Sequence, residues 1–211
     1  MKEYPSIPFH PPNGEYYYFF KKLDGQNIRV EYTKKRGFYK FGSRHQLLSE
    51  SDEVFGKAFS IFKNTLADKL EFIIKKRKWQ DPVTLFCEYW GDNSIGGFHK
   101  EGDSMYVTVI DINIYKNGFL DPKEFVDLDK QLSVDNKELV EFLGREKYNE
   151  VLKNSIYTNS FSVLLNEGVV GKRLYGNEIK RVKIKTNEWK EKIKALFDEE
   201  KAKELLRDTE F

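Results

Sequence analysis

Apolar positions recur along this chain with two periods, and the switches between them mark its elements. Val54, Phe55, Ala58, Phe59, Phe62, Leu66, Leu70, Ile73 and Ile74 return every three or four residues. That repeat places them on one face of a helix, predicted over 52–79 with Ser49 and Asp52 as a capping-box-like start. Elsewhere the period is two. Residues 15–41 alternate apolar runs with turns at Asp24-Gly25 and Lys35-Arg36-Gly37, which predicts a meander of strands. Further strands are predicted over 83–91, 104–115, 161–172 and 179–186, and Lys183 and Lys185, two apart, share one face. Asp121-Pro122 opens a helix, and 135–153 reads as one or two polar helices on the outside. A last amphipathic helix, about 187–209, carries Trp189, Ile193, Leu196, Phe197 and Leu205. Four of the six prolines fall in residues 1–14, which predicts extended loop there. The pattern as a whole predicts one α+β domain over 1–211, antiparallel sheets flanked by helices.

Composition changes this picture in a few places. The formal net charge is only +2, so a phosphate-binding surface has to come from local clusters. Lys34-Lys35-Arg36 reads first as a solvated turn, and Lys75-Lys76-Arg77-Lys78 as a helix end complementing its dipole. Contact with a nucleic-acid backbone is the second reading of both. The single Cys87 excludes an intrachain disulfide and a cysteine-rich zinc site, and it fits a reducing compartment. His10, His45 and His99 are scattered, without metal-ligand company. No apolar run approaches the ~20 residues of a membrane span, and the N-terminus lacks an apolar signal core. A soluble cytoplasmic monomer without a membrane partner is expected.

The candidate chemistry starts at Lys22-Leu23-Asp24-Gly25-Gln26-Asn27, between the aromatic run Tyr16–Phe20 and a second strand-like run. Gly25 allows close approach of backbone to a ligand. Asp24 can bind a sugar hydroxyl or a metal-bound water, and Lys22 is placed to act as a nucleophile. The competing reading is a solvated hairpin turn, for which Asp-Gly is a common signal. Four more segments follow in order: Gly42-Ser43-Arg44, Leu85-Phe86-Cys87-Glu88-Tyr89-Trp90-Gly91, Glu167-Gly168-Val169-Val170-Gly171-Lys172 and Val182-Lys183-Ile184-Lys185.

Together these five segments resemble the ordered motifs of ATP-dependent polynucleotide ligases and mRNA capping enzymes. The opening Tyr4-Pro5-Ser6-Ile7 is similar to the N-terminal signature of RNA ligases of the phage and kinetoplastid-editing type. Asn27 stands where DNA ligases usually carry arginine. Only 26 residues follow Lys185, too few for the OB domain of DNA ligases and capping enzymes. The resemblance implies the nucleotidyltransferase (ATP-grasp-like ligase) fold without a C-terminal OB domain. It also implies an ATP-dependent RNA ligase acting through lysyl-AMP on Lys22, with ATP and Mg2+ or Mn2+ as cofactors. The implied partner is RNA with 5′-phosphate and 3′-hydroxyl ends, with DNA as a further substrate and a host cytoplasm as its place if the source is a phage. Lys183 and Lys185 are implied to neutralise the α-phosphate, and Glu167 and Asp24 to serve the metal. Phe20, Lys21, Gly25, Asn27, Arg44, Glu88, Ile110 and Lys172 are implied in nucleotide binding, Glu88 at the ribose. Cations around Lys22 are expected to depress its pKa. Val109 and Ile110 occupy the neighbourhood where the family has an adenine-stacking aromatic. Minimal DNA nick sealing, use of GTP, and a non-enzymatic nucleotide-binding role stay open as alternatives.

Overall fold

A computed structural model describes residues 1–211 except 93, 97, 99, 101, 133–136, 162 and 207–211; residues 129 and 130 are described by backbone alone. His99, positions 135–136 of the predicted polar helices and positions 207–209 of the predicted last helix lie outside the described residues. In chain order the elements are β1 (Tyr16–Lys22), β2 (Gly25–Thr33), β3 (Gly37–Ser43), β4 (Leu47–Leu48), α1 (Gly56–Thr65), α2 (Ala67–Lys76), β5 (Val83–Trp90), β6 (Tyr106–Ile114) and β7 (Gly118–Phe119). They continue as α3 (Pro122–Leu132), β8 (Phe142–Lys147), α4 (Glu150–Tyr157), β9 (Gly168–Tyr175), β10 (Glu178–Lys185), α5 (Asn187–Leu196) and α6 (Glu199–Leu206).

The strands form two antiparallel sheets, a four-stranded one in the order β10-β9-β1-β8 and a six-stranded one in the order β4-β3-β2-β5-β6-β7. The predicted α+β architecture of antiparallel sheets with helices is therefore observed. The main core lies between the six-stranded sheet and α1, α2 and α3, with Ile28, Val30, Tyr32, Leu85, Phe59, Phe62, Leu70 and Phe125 buried in it. Tyr17, Phe19, Val169, Val182 and Ile184 line the opposite face of the four-stranded sheet and pack with Ile156 of α4. Among the described residues no helix is long and apolar enough to cross a membrane.

Four local expectations are corrected. The residues 15–41 do not form one meander: β1 and β2 belong to different sheets, so Leu23 and Asp24 are a crossing between sheets and not a hairpin turn. The predicted helix over 52–79 is two helices meeting at Leu66 (φ −118°), and the first begins only at Gly56; Asp52 orders the turn before it, its Oδ1 accepting from the N–H of Val54 (3.0 Å) and Phe55 (2.8 Å). The apolar period runs through the break because both helices bury onto the same core. Residues 142–147, read as helical, form strand β8 beside β1; its exposed Arg145, Glu146 and Lys147 are the charged side chains that suit a sheet edge and hide a strand pattern. The predicted last helix is α5 and α6, with Asp198 Oδ1 accepting from the N–H of Lys201 at 2.8 Å as a new start.

Candidate active site

Strand register builds the site. Lys22 at the end of β1 lies opposite Gly168 of β9, and Gly168 lies opposite Lys185 of β10. On the next rung stand Phe20, Val170 and Lys183, and on the one after it Tyr18, Lys172 and Arg181. Because side chains alternate along a strand, Lys22, Phe20, Lys172, Lys183 and Lys185 share the face opposite the buried Tyr17 and Phe19. Gly168 is required at the centre of this ladder. Its φ is +148°, and a Cβ there would stand 2.0 Å from the Ile184 carbonyl oxygen.

A cavity of about 690 Å³ opens over this face, between the two sheets. Its lining takes Phe20, Lys21, Lys22, Val170, Lys172, Lys183 and Lys185 from the four-stranded sheet, and Gly25, Asn27, Glu88 and Ile110 from the six-stranded one. Asp24, Arg44 and Glu167 complete the set, so all the sequence-predicted site residues meet around one space. The basic runs do not join them. Lys34, Lys35, Arg36 and Lys75–Lys78 are absent from the lining, and Lys75 is paired with Glu71 at 2.6 Å on α2.

Glu167 is the electrostatic centre. Its Oε2 accepts from Lys22 Nζ at 2.8 Å, and its Oε1 lies 3.1 Å from Lys185 Nζ. Burial works to raise the Glu167 pKa, but Lys22 and Lys185 outweigh it and hold the carboxyl below its usual range. Burial likewise works to lower Lys22. Attraction to Glu167 and Glu88 and the hydrogen bond to Glu167 outweigh that effect, and its pKa stands above the ordinary value. By the protein's own groups Lys22 is therefore held above its ordinary value and not below it, because Glu167 and Glu88 outweigh burial. Burial, reinforced by Lys22 and Lys183 against the opposing pull of Glu167, brings Lys185 down to about 8. Burial pushes Glu88 up to about 7, with Lys22 opposing.

The expected roles of individual residues meet specific contacts. Asp24 Oδ2 accepts from Ser94 Oγ and from the Gly96 N–H at 2.7 Å, so this carboxylate fastens the 94–96 loop. Gly25 lines the cavity and is also needed within its own sheet. A Cβ would meet the Tyr89 carbonyl oxygen of the neighbouring strand at 2.4 Å, so its close approach is to β5. The Lys21 N–H is taken by the Glu141 carbonyl at 3.0 Å. Arg44 follows β3 in a tight turn leading to β4. Asn27 Oδ1 and Arg44 Nε are buried without hydrogen-bond partners, polar atoms left for something in the cavity. A β-bulge between Phe86 and Cys87 leaves Ile110 as the extra residue of β6, which turns it into the cavity while Val109 stays in the core. Cys87 is buried in that same core.

Some contributors escaped the sequence reading. Asp111 is fully enclosed and takes Arg181 Nη2 at 2.8 Å, Lys172 Nζ at 3.2 Å and the Tyr4 hydroxyl at 3.2 Å on its Oδ2. Lys172 also donates to the Ile110 carbonyl. Burial dominates its pKa and, against the pull of Asp111, brings it to about 8. The signal for Asp111 was an acid inside an apolar strand, Val109-Ile110-Asp111-Ile112. Trp189, read as helix core, does pack there but also lines the cavity, with its ring centre 3.7 Å from Lys185 Nζ. Leu205 of α6 presents its carbonyl to the same ammonium at 3.4 Å.

A nucleotide fits this lining: a cationic floor suits phosphates, and unpartnered polar atoms face the other sheet. For a hard divalent cation, Glu167 and Asp24 offer carboxylates. Among the described residues no group of three or more His, Cys, Asp or Glu gathers to hold a metal. Two carboxylates with substrate phosphates are a set that suits magnesium.

Two antiparallel sheets thus enclose a lysine–glutamate–lysine cluster built from three of the segments that carry the sequence resemblance. A family model described as RNA ligase matches residues 15–185, and the chain belongs to that family. No curated protein matches its sequence. Solved structures of Naegleria gruberi RNA ligase share the fold. One, of a variant with ATP and Mn, has 19% identity and a TM-score of 0.57 over 83% of this chain and 50% of its own. Another, with PPi, has 20% identity and a TM-score of 0.59 over 85% and 52%. A third, of a variant with AMP and Mn, has 19% identity and a TM-score of 0.58 over 88% and 58%. The chain thus spans between half and three-fifths of the length of these ligases.

Proposed function

We propose that this chain is the adenylyltransferase domain of an ATP-dependent RNA ligase, joining 5′-phosphate and 3′-hydroxyl ends through AMP carried on Lys22. The observation that carries this reading is the Lys22 ammonium held by Glu167 on the floor of a cavity that also presents Lys183 and Lys185. The Naegleria structures with ATP, AMP, Mn and PPi support the choice of nucleotide and cation.

Lys22 Nζ, once deprotonated, forms a bond to the α-phosphorus of ATP as the bond to pyrophosphate breaks. The 5′-phosphate of RNA then attacks that phosphorus, the P–N bond breaks and the nitrogen regains a proton. Finally the 3′-hydroxyl attacks the 5′-phosphorus and AMP leaves. Lys183 and Lys185 meet the growing negative charge on the α-phosphate. Glu167 holds Lys22 in place but keeps it protonated, so the Nζ proton has to pass to a base; the Glu167 carboxylate hydrogen-bonded to it at 2.8 Å is the acceptor in reach, and phosphates that draw Lys185 away would raise its affinity for that proton. Glu167 and Asp24 are the carboxylates that would hold a divalent cation, whose chemistry would be to neutralise phosphate charge. Glu88 and Asn27 face the ribose and base end, with Phe20 and Ile110 as apolar cover. Lys172 and Arg44 complete the nucleotide and strand contacts, and the working unit is a monomer.

The test is incubation with α-labelled ATP and Mg2+ or Mn2+, followed by a denaturing gel. A labelled band is expected, with no band from labelled GTP. A panel of nicked and single-stranded RNA and DNA then identifies the strand, with RNA expected to be joined best. No adduct under either metal overturns the reading.

A further inference from the structure

A second, smaller cavity of about 200 Å³ adjoins the first and shares Lys21, Lys22, Leu23 and Asp24 with it as a common wall. Its remaining lining is Trp90, Thr108, Lys137, Leu139, Val140, Glu141 and Asn166. Nothing in the adenylation chemistry uses this space, yet it touches the residue that carries the adenylate. Its wall is also ordered. Trp90 Nε1 donates to Thr108 Oγ1 at 2.9 Å, and that hydroxyl donates to the Lys137 carbonyl at 2.7 Å. Tyr106 stacks behind Trp90 with ring centres 4.9 Å apart, and Lys137 Nζ stands 3.9 Å from the centre of the Tyr106 ring. The indole is thus fixed in orientation, and an exposed ammonium is held at the rim. Lys21 Nζ lies 3.8 Å from Glu141, beyond hydrogen-bond reach of it.

Building on the proposed ligase reading, we infer that this smaller cavity receives the 5′-terminal nucleotide of the RNA strand. The base lies against Trp90, the 5′-phosphate points toward Lys22, and the following phosphate lies within reach of Lys137. The chemistry of the wall carries the assignment. A half-buried aromatic offers a face to any base, and the lysines offer charge to the backbone, the pairing by which single strands are gripped without sequence preference. Position supports it too. The adenylate on Lys22 has to meet a 5′-phosphate, and with a nucleotide in the larger cavity the shared wall is where a strand end can lie beside it. At less than a third of the larger volume, the space suits a base and not a second nucleoside triphosphate.

The test uses enzyme charged with labelled AMP and follows single-turnover transfer to 5′-phosphorylated RNA. Two RNAs are compared, one normal and one with an abasic 5′-terminal nucleotide. The wild-type protein is expected to need about tenfold more of the abasic RNA for half-maximal transfer, at the same maximal rate. Trp90→Leu should bring the normal RNA to the abasic level and leave the abasic RNA unchanged, a pattern that general misfolding does not give. Lys137→Ala should leave Lys22 adenylation by ATP intact and lower the slope of log affinity against log salt by about 0.7. Equal half-maximal concentrations for the two RNAs with charged wild-type enzyme overturn this inference alone. Failure of the wild-type protein to charge at Lys22 overturns the ligase reading and this inference with it.

Discussion

Glu167 spans Lys22 and Lys185, one carboxylate oxygen to each, at 2.8 and 3.1 Å. The acid therefore sets both the position and the protonation of the two cations that flank the reacting phosphorus in the proposed mechanism. It also makes their replacement informative one residue at a time.

Lys22→Ala should form no labelled adduct, because no other group supplies the nucleophile. Lys22→Arg should fail equally, since a guanidinium stays protonated. The check is the denaturing gel described above; an adduct of normal yield on Lys22→Ala would sink the covalent mechanism.

Glu167→Gln should cut adenylation about 10²-fold or more, as expected for a lost electrostatic contact. Stability should respond with a definite sign. Glu167 is held low, so its contribution is present above its unfolded value of ~4.3 and is lost as pH falls through its folded value. Lys22 is held high, so its share is present below ~10.4 and disappears as pH climbs through its folded value. Thermal melts should place the variant below wild type across neutral pH, with the curves converging in acid. A gap that persists undiminished in acid contradicts the assignment.

Lys185 gives an alkaline signature. With its pKa brought to about 8 by burial, it loses the charge it offers the α-phosphate as pH rises through that value. Deprotonation of Lys22 makes single-turnover adenylation climb with pH, and the loss of charge on Lys185 should flatten that climb above about 8. Lys185→Arg should let the climb continue to higher pH, even if the absolute rate drops. A flattening unchanged in the arginine variant points to another group.

Asp111 is the shared partner of Lys172, Arg181 and Tyr4. Asp111→Ala leaves two buried cations without their anion, and urea unfolding should show a loss of roughly 3–5 kcal/mol. A loss under ~1 kcal/mol, the scale of an exposed pair, would mean the network is solvated.

Ile110→Phe should leave ATP affinity unchanged or raise it, because the bulge aims this position into the cavity, where a ring can cover the base. Isothermal titration checks it; a large loss of affinity shows that the aliphatic side chain is needed for close fit.

The legible part of the site was the part that repeats along a strand. Lys183 and Lys185 two apart, and Lys22 at the end of an aromatic run, are positions whose relative placement a ladder fixes almost by itself. Contacts made between sheets were harder to read. Asp111 shows in the sequence only as an acid out of place, and its partners Lys172 and Arg181 lie 61 and 70 residues away. Strand β8 was hidden because an edge strand carrying Arg145, Glu146 and Lys147 has no apolar alternation to display. Trp189 was read correctly as core, but no period reveals that the same ring also borders a cavity. The break at Leu66 escaped because both helices bury the same stripe.

The crossing at Leu23 and Asp24 has a mechanical meaning. Two residues reach at most about 7 Å, so the end of β1 that carries Lys22 and the start of β2 that leads to Asn27 are tied by a backbone tether with no slack. Asp24 is itself pinned by Ser94 and Gly96, which anchors the tether at its middle. The mouth of the cleft at this end cannot widen without pulling Lys22 along with it. A second tie joins the sheets where Lys172 of β9 and Arg181 of β10 meet Asp111 of β6, so the floor and the opposite wall of the cleft are fastened to each other at two separate points.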